Sequence, residues 1–184
     1  MKKHLAIILL AVVLLSGLVS CKKIVDTFFA GETFTMPAIT MTIPIIPIAD
    51  STQEFSGGSF TTYINVDSTI KANTSGVFSI NSISTVTVKQ VSVTVTNADE
   101  INNVSAFKSF RITISSNTNA TVANMVTVNI PASAAGSYTY TPTNPANIVD
   151  YLKGTNINNT VYGTARKTTT KALNVKVVIT LFAK

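Results

Sequence analysis

From Leu173 to Leu181 the apolar residues Leu173, Val175, Val177, Ile179 and Leu181 occupy every second position. Successive side chains of an extended chain point to opposite faces, so these five make one buried face. A helix would divide them between opposite sides. The same period returns along most of the chain. In Thr85–Thr96, Val86 and Val88 fall on even positions and Val91, Val93 and Val95 on odd ones. The parity changes at Lys89-Gln90, where a β-bulge is expected. Phe110, Ile112 and Ile114 share a face in Phe107–Ser115, as do Val126, Val128 and Ile130 in Val122–Ile130. Phe60–Val66 reads as a strand after a Gly57-Gly58 turn, Tyr138 and Tyr140 close a short strand before Pro142, and Val161–Ala165 is another.

Between Thr33 and Ile48 the apolar face switches parity around Pro37, which predicts a second bulge. Pro37, Pro44 and Pro47 cannot donate ladder hydrogen bonds, so this segment is expected to be an edge strand or partly polyproline. Ile70–Val77 reads as loop, and Asn97–Asn103 as a polar connection or one helical turn. One helix is predicted near 145–153: Asn144 as cap, Pro145 in the first turn, Ile148 and Leu152 four apart, and Gly154 as terminator. Seven to nine short strands with polar turns and one connecting helix predict an all-β, antiparallel, immunoglobulin-like β-sandwich. An up-and-down barrel is the alternative. Residues 33–184 would form that domain, with 33–80 either integral to it or an added edge or lobe.

The first twenty-one residues are of another kind. Lys2 and Lys3 precede an apolar run from Leu5 to Leu15, then Ser16-Gly17 and Leu18-Val19-Ser20-Cys21. This is the secretory signal layout. At fifteen residues, Leu5–Val19 is shorter than the ~20 that a spanning helix needs. Leu18–Cys21 resembles the lipobox of bacterial lipoproteins. The resemblance implies cleavage before Cys21, a diacylglyceryl group on its sulfur and acylation of the new amine. Two or three chains would hold the protein on a membrane, since each buried CH₂ contributes about 0.8 kcal/mol and one chain binds only marginally. Lipoproteins retained in the inner membrane of many Gram-negative bacteria carry Asp after the cysteine; Lys22 here implies the outer membrane. Residues 21–32 would be the tether, with Ile24, Val25, Phe28 and Phe29 either lying in the headgroups or packing on the domain.

Cleavage would leave 164 residues and, without Lys2 and Lys3, 12 basic side chains against 8 acidic ones. The positive charge is mild and scattered, with no basic stripe or motif for nucleic acid. That part of the sequence has no His, no Trp and no Cys except Cys21. Ser-His-Asp and Cys-His devices cannot be built from it, nor can zinc sites that draw on those ligands. No cofactor is implied. Asp99 and Glu100, beside Asn97, Asn102 and Asn103, are the oxygen-rich candidates for a calcium site. Asp67 with Asp150, or Asp50 with Glu54, are conceivable glycosidase pairs. Tyr138 and Tyr140, with Tyr151 and Tyr162, are candidates for stacking on sugar rings. Arg166, Lys167 and Lys171 form a basic turn that could touch phosphates or simply block edge pairing. Asp50-Ser51-Thr52 and Asp67-Ser68-Thr69 both resemble a bacterial O-glycosylation acceptor. The expectation is a non-enzymatic outer-membrane lipoprotein acting as a structural or protein-interaction module of the cell envelope. A glycan- or ligand-binding module and an accessory subunit of an envelope complex are the alternatives.

Overall fold

The computed structural model describes residues 31–184. Leu18–Cys21, Lys22 and the apolar residues Ile24, Val25, Phe28 and Phe29 lie outside the described residues. Nine strands and one short α-helix follow in the order β1 (Glu32–Thr35), β2 (Ile39–Ile43), β3 (Glu54–Tyr63), α1 (Val66–Asn73), β4 (Val86–Val95), β5 (Phe107–Ser116), β6 (Ala123–Asn129), β7 (Ser137–Tyr140), β8 (Asn156–Ala165) and β9 (Leu173–Ala183). They form two antiparallel sheets, one ordered β1/β2–β9–β4–β7 and the other β3–β8–β5–β6. No helix among the described residues is long and apolar enough to cross a membrane.

The antiparallel sandwich expected from the period-two pattern is present. "Immunoglobulin-like" describes its two layers; its winding is that of a jelly roll. The pairings are nested: β1 and β2 with β9, β3 with β8, β4 with β7, β5 with β6. One long hairpin, folded at the β5–β6 connection, is thus rolled until β4 also meets β9 and β5 also meets β8. From β2 onward every connection except β5–β6 crosses between the sheets.

The inward residues merge into one core. Val86, Val88, Val91, Val93 and Val95 meet Leu173–Leu181 within one sheet, opposite Phe107, Phe110, Ile112, Ile114, Ile157 and Val161 of the other. The register shift between Val88 and Gln90 is the bulge read from the valine parity. Around Pro37 the edge strand breaks completely into β1 and β2, both paired with β9, while the Met36 N–H still reaches the Ile179 carbonyl at 2.9 Å.

Three local expectations are corrected. Gly57-Gly58 is a bulge inside β3 rather than a turn before it, so the strand begins at Glu54. Gly58 has φ +118°, a conformation few other residues adopt, and that lets the ladder shift without ending. The segment near 145–153 forms only a 3-10 turn, Val149–Tyr151. The α-helix is α1, where a strand end and a loop were expected. Asn65 caps it by accepting the Ser68 N–H at 2.9 Å, and Val66 and Ile70 are buried four residues apart.

The connections gather at two ends. Gly31, Lys184, α1 and the β5–β6 and β7–β8 connections lie at one end, here the Gly31 end. It is tied by Ile148 N–H to the Val86 carbonyl (2.8 Å) and by Asn73 Nδ2 to the Glu32 carboxylate (3.4 Å). The β2–β3, β4–β5, β6–β7 and β8–β9 connections form the Ile46 end. There Thr169 N–H donates to the Ile46 carbonyl (3.0 Å), Val104 N–H to that of Ala135 (2.9 Å) and Arg166 N–H to that of Ala106 (2.7 Å).

Candidate functional site

The Ile46 end holds a groove of about 310 Å³ between the β2–β3 connection and the end of β8. Its walls are Ile43, Ile46, Ile48, Phe55 and Ala165, with Asp50 and Glu54 also bordering it. Pro44 and Pro47 deny this segment ladder donors, so it leaves the sheet after Ile43 and crosses to β3. It is held by a reciprocal pair: Ile46 N–H to Thr169 Oγ1 (2.9 Å) and Thr169 N–H to the Ile46 carbonyl (3.0 Å). Ile48, 80% exposed, projects at its edge. The volume is at the lower limit of small-molecule sites.

Asp50 and Glu54, separated in the sequence by three residues, therefore border one groove, but both are engaged. Asp50 Oδ1 accepts from Thr52 Oγ1 (2.6 Å), Thr52 N–H (2.8 Å) and Gln53 N–H (3.3 Å), and these bonds lower its pKa. Glu54 takes Arg111 through both Nε (2.9 Å) and Nη2 (2.6 Å), and that guanidinium lowers the Glu54 pKa. The Arg111 guanidinium in turn lies 4.1 Å from the centre of the Tyr162 ring. The result is a three-strand clasp on the outer face of β3, β5 and β8.

Three further acids, Asp67, Asp150 and Asp99, are likewise occupied. Asp67 pairs with Lys71 at 2.6 Å and accepts the Ile80 N–H at 2.9 Å. Asp150 pairs with Lys153 at 2.6 Å. Asp67 lies on α1 and Asp150 in the 3-10 turn. Asp99 binds Lys171 at 2.7 Å and accepts the N–H groups of Ile101 and Asn102 at 3.0 and 2.7 Å, with Asn102 Nδ2 on both oxygens. Lys171 foremost, then Asn102, holds its carboxyl far below the usual carboxylate range. Glu100 takes part, among the described residues, only through its backbone carbonyl, which accepts from Asn103 Nδ2 at 3.0 Å. Among the described residues no group of three or more His, Cys, Asp or Glu side chains gathers as metal ligands would.

The tyrosines do not converge. Tyr138 and Tyr140, opposite Val93 and Val91, turn inward and pack half-buried against the core from the edge strand β7. Tyr140 also borders a smaller groove with Met125 and Pro142. Tyr151 packs on the core, whereas Tyr162 belongs to the clasp on the opposite sheet. The basic turn is pinned: Arg166 donates to the carbonyls of Ser105 and Ile130, Lys167 to Ser105 Oγ, and Lys171 to Asp99. In the two acceptor-like triplets, Thr52 Oγ1 donates to Asp50, and Thr69 Oγ1 donates to the Asn65 carbonyl at the start of α1.

No family model matches the chain, and neither does any curated protein. Solved structures do resemble it. A structure of the infectious bursal disease virus Gt strain aligns over 84% of this chain at 7% identity and a TM-score of 0.36. This chain spans about a third of the length of that protein, 33%. An antigen and type I fimbria protein of Burkholderia pseudomallei aligns over 82% of this chain and 99% of its own at 14% identity and a TM-score of 0.26. Desmodium yellow mottle tymovirus gives 12% identity and a TM-score of 0.25 over 80% of this chain and 86% of its own. Scores this low assign no activity or partner.

Two features are not marked by the sequence pattern. The Ile43–Ile48 run reads as an edge strand or partly polyproline, and that pattern alone does not mark Ile46 and Ile48 as walls of a groove. Pro44 and Pro47 were the available signal that the chain leaves the ladder there. Asn159, in the middle of β8, is fully buried among apolar residues, and its side-chain amide has no hydrogen-bond partner among the described residues.

Proposed function

We propose that this chain is a non-enzymatic, lipid-anchored protein of the bacterial outer membrane whose sandwich serves as a structural or protein-interaction module. The anchor is Cys21, on the strength of the lipobox-like Leu18-Val19-Ser20-Cys21. One structural observation supports the non-enzymatic part: Asp50, Glu54, Asp67, Asp99 and Asp150 each bind their own loop or a neighbouring cation. Carboxylates used this way stabilise turns, whereas a general acid needs a free path to substrate. The Ile46-end groove, apolar and edged by Ile48, is the surface on which a partner would dock.

The test is crosslinking in membranes with the lipid intact. A photo-crosslinker at position 48 is expected to capture a defined envelope protein, and the capture to fall when Ile46 is replaced by Asp. Capture unaffected by Ile46→Asp would overturn the assignment of the groove. Turnover by the purified protein, abolished by one point substitution, would overturn the non-enzymatic reading. The glycan-binding alternative draws less support, because Tyr138 and Tyr140 spend their rings on the core.

A further inference from the structure

We infer that the Gly31 end of the sandwich rests on the lipid bilayer, with Tyr63, Val77 and Val122 as its contacts, and that the Ile46 end faces away. The inference builds on Cys21 as the acylated residue.

The entry point of the chain is fixed. Glu32 pairs with Ala183, and Gly31 has φ +92° with the Phe182 ring where a Cβ would stand. From Cys21 to Gly31 there are ten peptide units, which span at most about 35 Å when fully drawn out. The eleven residues of β9, which run between the two ends, cover about 34 Å. For the Ile46 end to touch the bilayer, the whole tether would have to lie stretched along the side of the sandwich. With any slack at all, the Gly31 end is the one that meets the membrane.

The surface at that end suits the assignment. Tyr63 is 72% exposed, Val77 72% and Val122 67%. They come from the end of β3, the turn after α1 and the start of β6. β3 and β6 are the two edges of a four-stranded sheet, about 14 Å apart at 4.8 Å per strand. The apolar contacts are therefore distributed across the footprint, as a slab resting on an interface requires. Of the acids nearby, Asp67 and Asp150 are paired with Lys71 and Lys153, and Glu32 accepts from Asn73 Nδ2. A tyrosine suits the headgroup level, with its ring toward the acyl chains and its hydroxyl in water.

The test uses the full acylated protein in phosphatidylethanolamine–phosphatidylglycerol vesicles that contain a nitroxide-bearing lipid. Tyr63→Cys, Val77→Cys, Val122→Cys and Ile48→Cys variants each carry one environment-sensitive fluorophore. The sulfur of Cys21 is blocked by its lipid. Emission from positions 63, 77 and 122 is expected to be blue-shifted and lost to nitroxide quenching, while that from position 48 is unchanged. Quenching at position 48 overturns the placement. So does a lack of quenching at the other three in protein that mass spectrometry shows to be acylated, including a blue shift without quenching, which marks contact with a second copy or another protein. Absence of acyl groups overturns the anchor itself, and this orientation with it. All four positions are exposed, so folding is retained, and thermal melts of the variants check it.

Discussion

At the scale of single residues the least expected feature is Asn159. It lies opposite Phe60 on β3 and Ile114 on β5, fully buried, with neither amide atom hydrogen-bonded among the described residues. A buried polar group left unpaired costs about 1–3 kcal/mol. Leucine has a similar shape and no such cost. Asn159→Leu is therefore expected to stabilise the fold by about 1–3 kcal/mol, read as a higher urea midpoint at unchanged m-value. An equal or lower midpoint would mean that the amide is satisfied. Asp99 shows the opposite economy, with its oxygens shared among Lys171, Asn102 and Ile101. Its pKa is lowered on folding, so its contribution is complete above the ordinary carboxylate value of about 3.9 and is lost as pH falls toward the folded value. Asp99→Asn should lower the Tm at pH 7, and the gap to the parent should narrow as pH drops below about 4. A gap independent of pH would show that the charge of Asp99 is immaterial.

At the scale of elements, strands whose apolar residues alternate were legible because packing against the other sheet imposes the same alternation. The Lys89-Gln90 bulge was legible too, since only an extra residue reconciles valines of two parities on one buried face. The helix was misplaced for an equally physical reason. Val66 continues the even parity of Phe60 and Ile64, so the strand pattern runs on into it. The signals of α1 were nevertheless there: Asn65 as cap, Asp67 in the first turn, Lys71 in the last. Near 145–153, Asn147 takes the N–H groups of Val86 and Val149 and donates to the Ser84 carbonyl, which ties the segment to the start of β4 instead of letting a helix form. Close approach between strands adds one test. A Cβ at Gly163 would meet the Phe55 ring, which stacks toward Phe107 with centroids 6.1 Å apart. Gly163→Ala should cost about 1–3 kcal/mol by overpacking, seen as a lower Tm. Phe55→Leu in the same chain should recover part of it, and a neutral Gly163→Ala would show that the ring yields freely.

At the scale of the whole molecule the jelly-roll winding was not legible, because several strands carry the same Val/Ile/Thr alternation and nothing local says that residue 32 pairs with residue 183. The candidate site divides in the same way. The acidic and basic residues could be picked out by type, but their pairing with one another, as in Glu54–Arg111 and Asp99–Lys171, spans 57 and 72 positions and emerges only once the sheet order is fixed. The winding brings Gly31 and Lys184 to one end and the Ile46 groove to the other. A domain carried at Gly31 thereby holds its groove outward from whatever holds Cys21. The most direct measurement is the intact mass of the protein extracted from bacterial membranes. The account predicts a chain that begins at Cys21 and carries two or three acyl groups, with the Cys21→Ser variant unacylated and released from the membrane fraction. An unmodified Cys21, or a Cys21→Ser variant that partitions as the parent does, would contradict it.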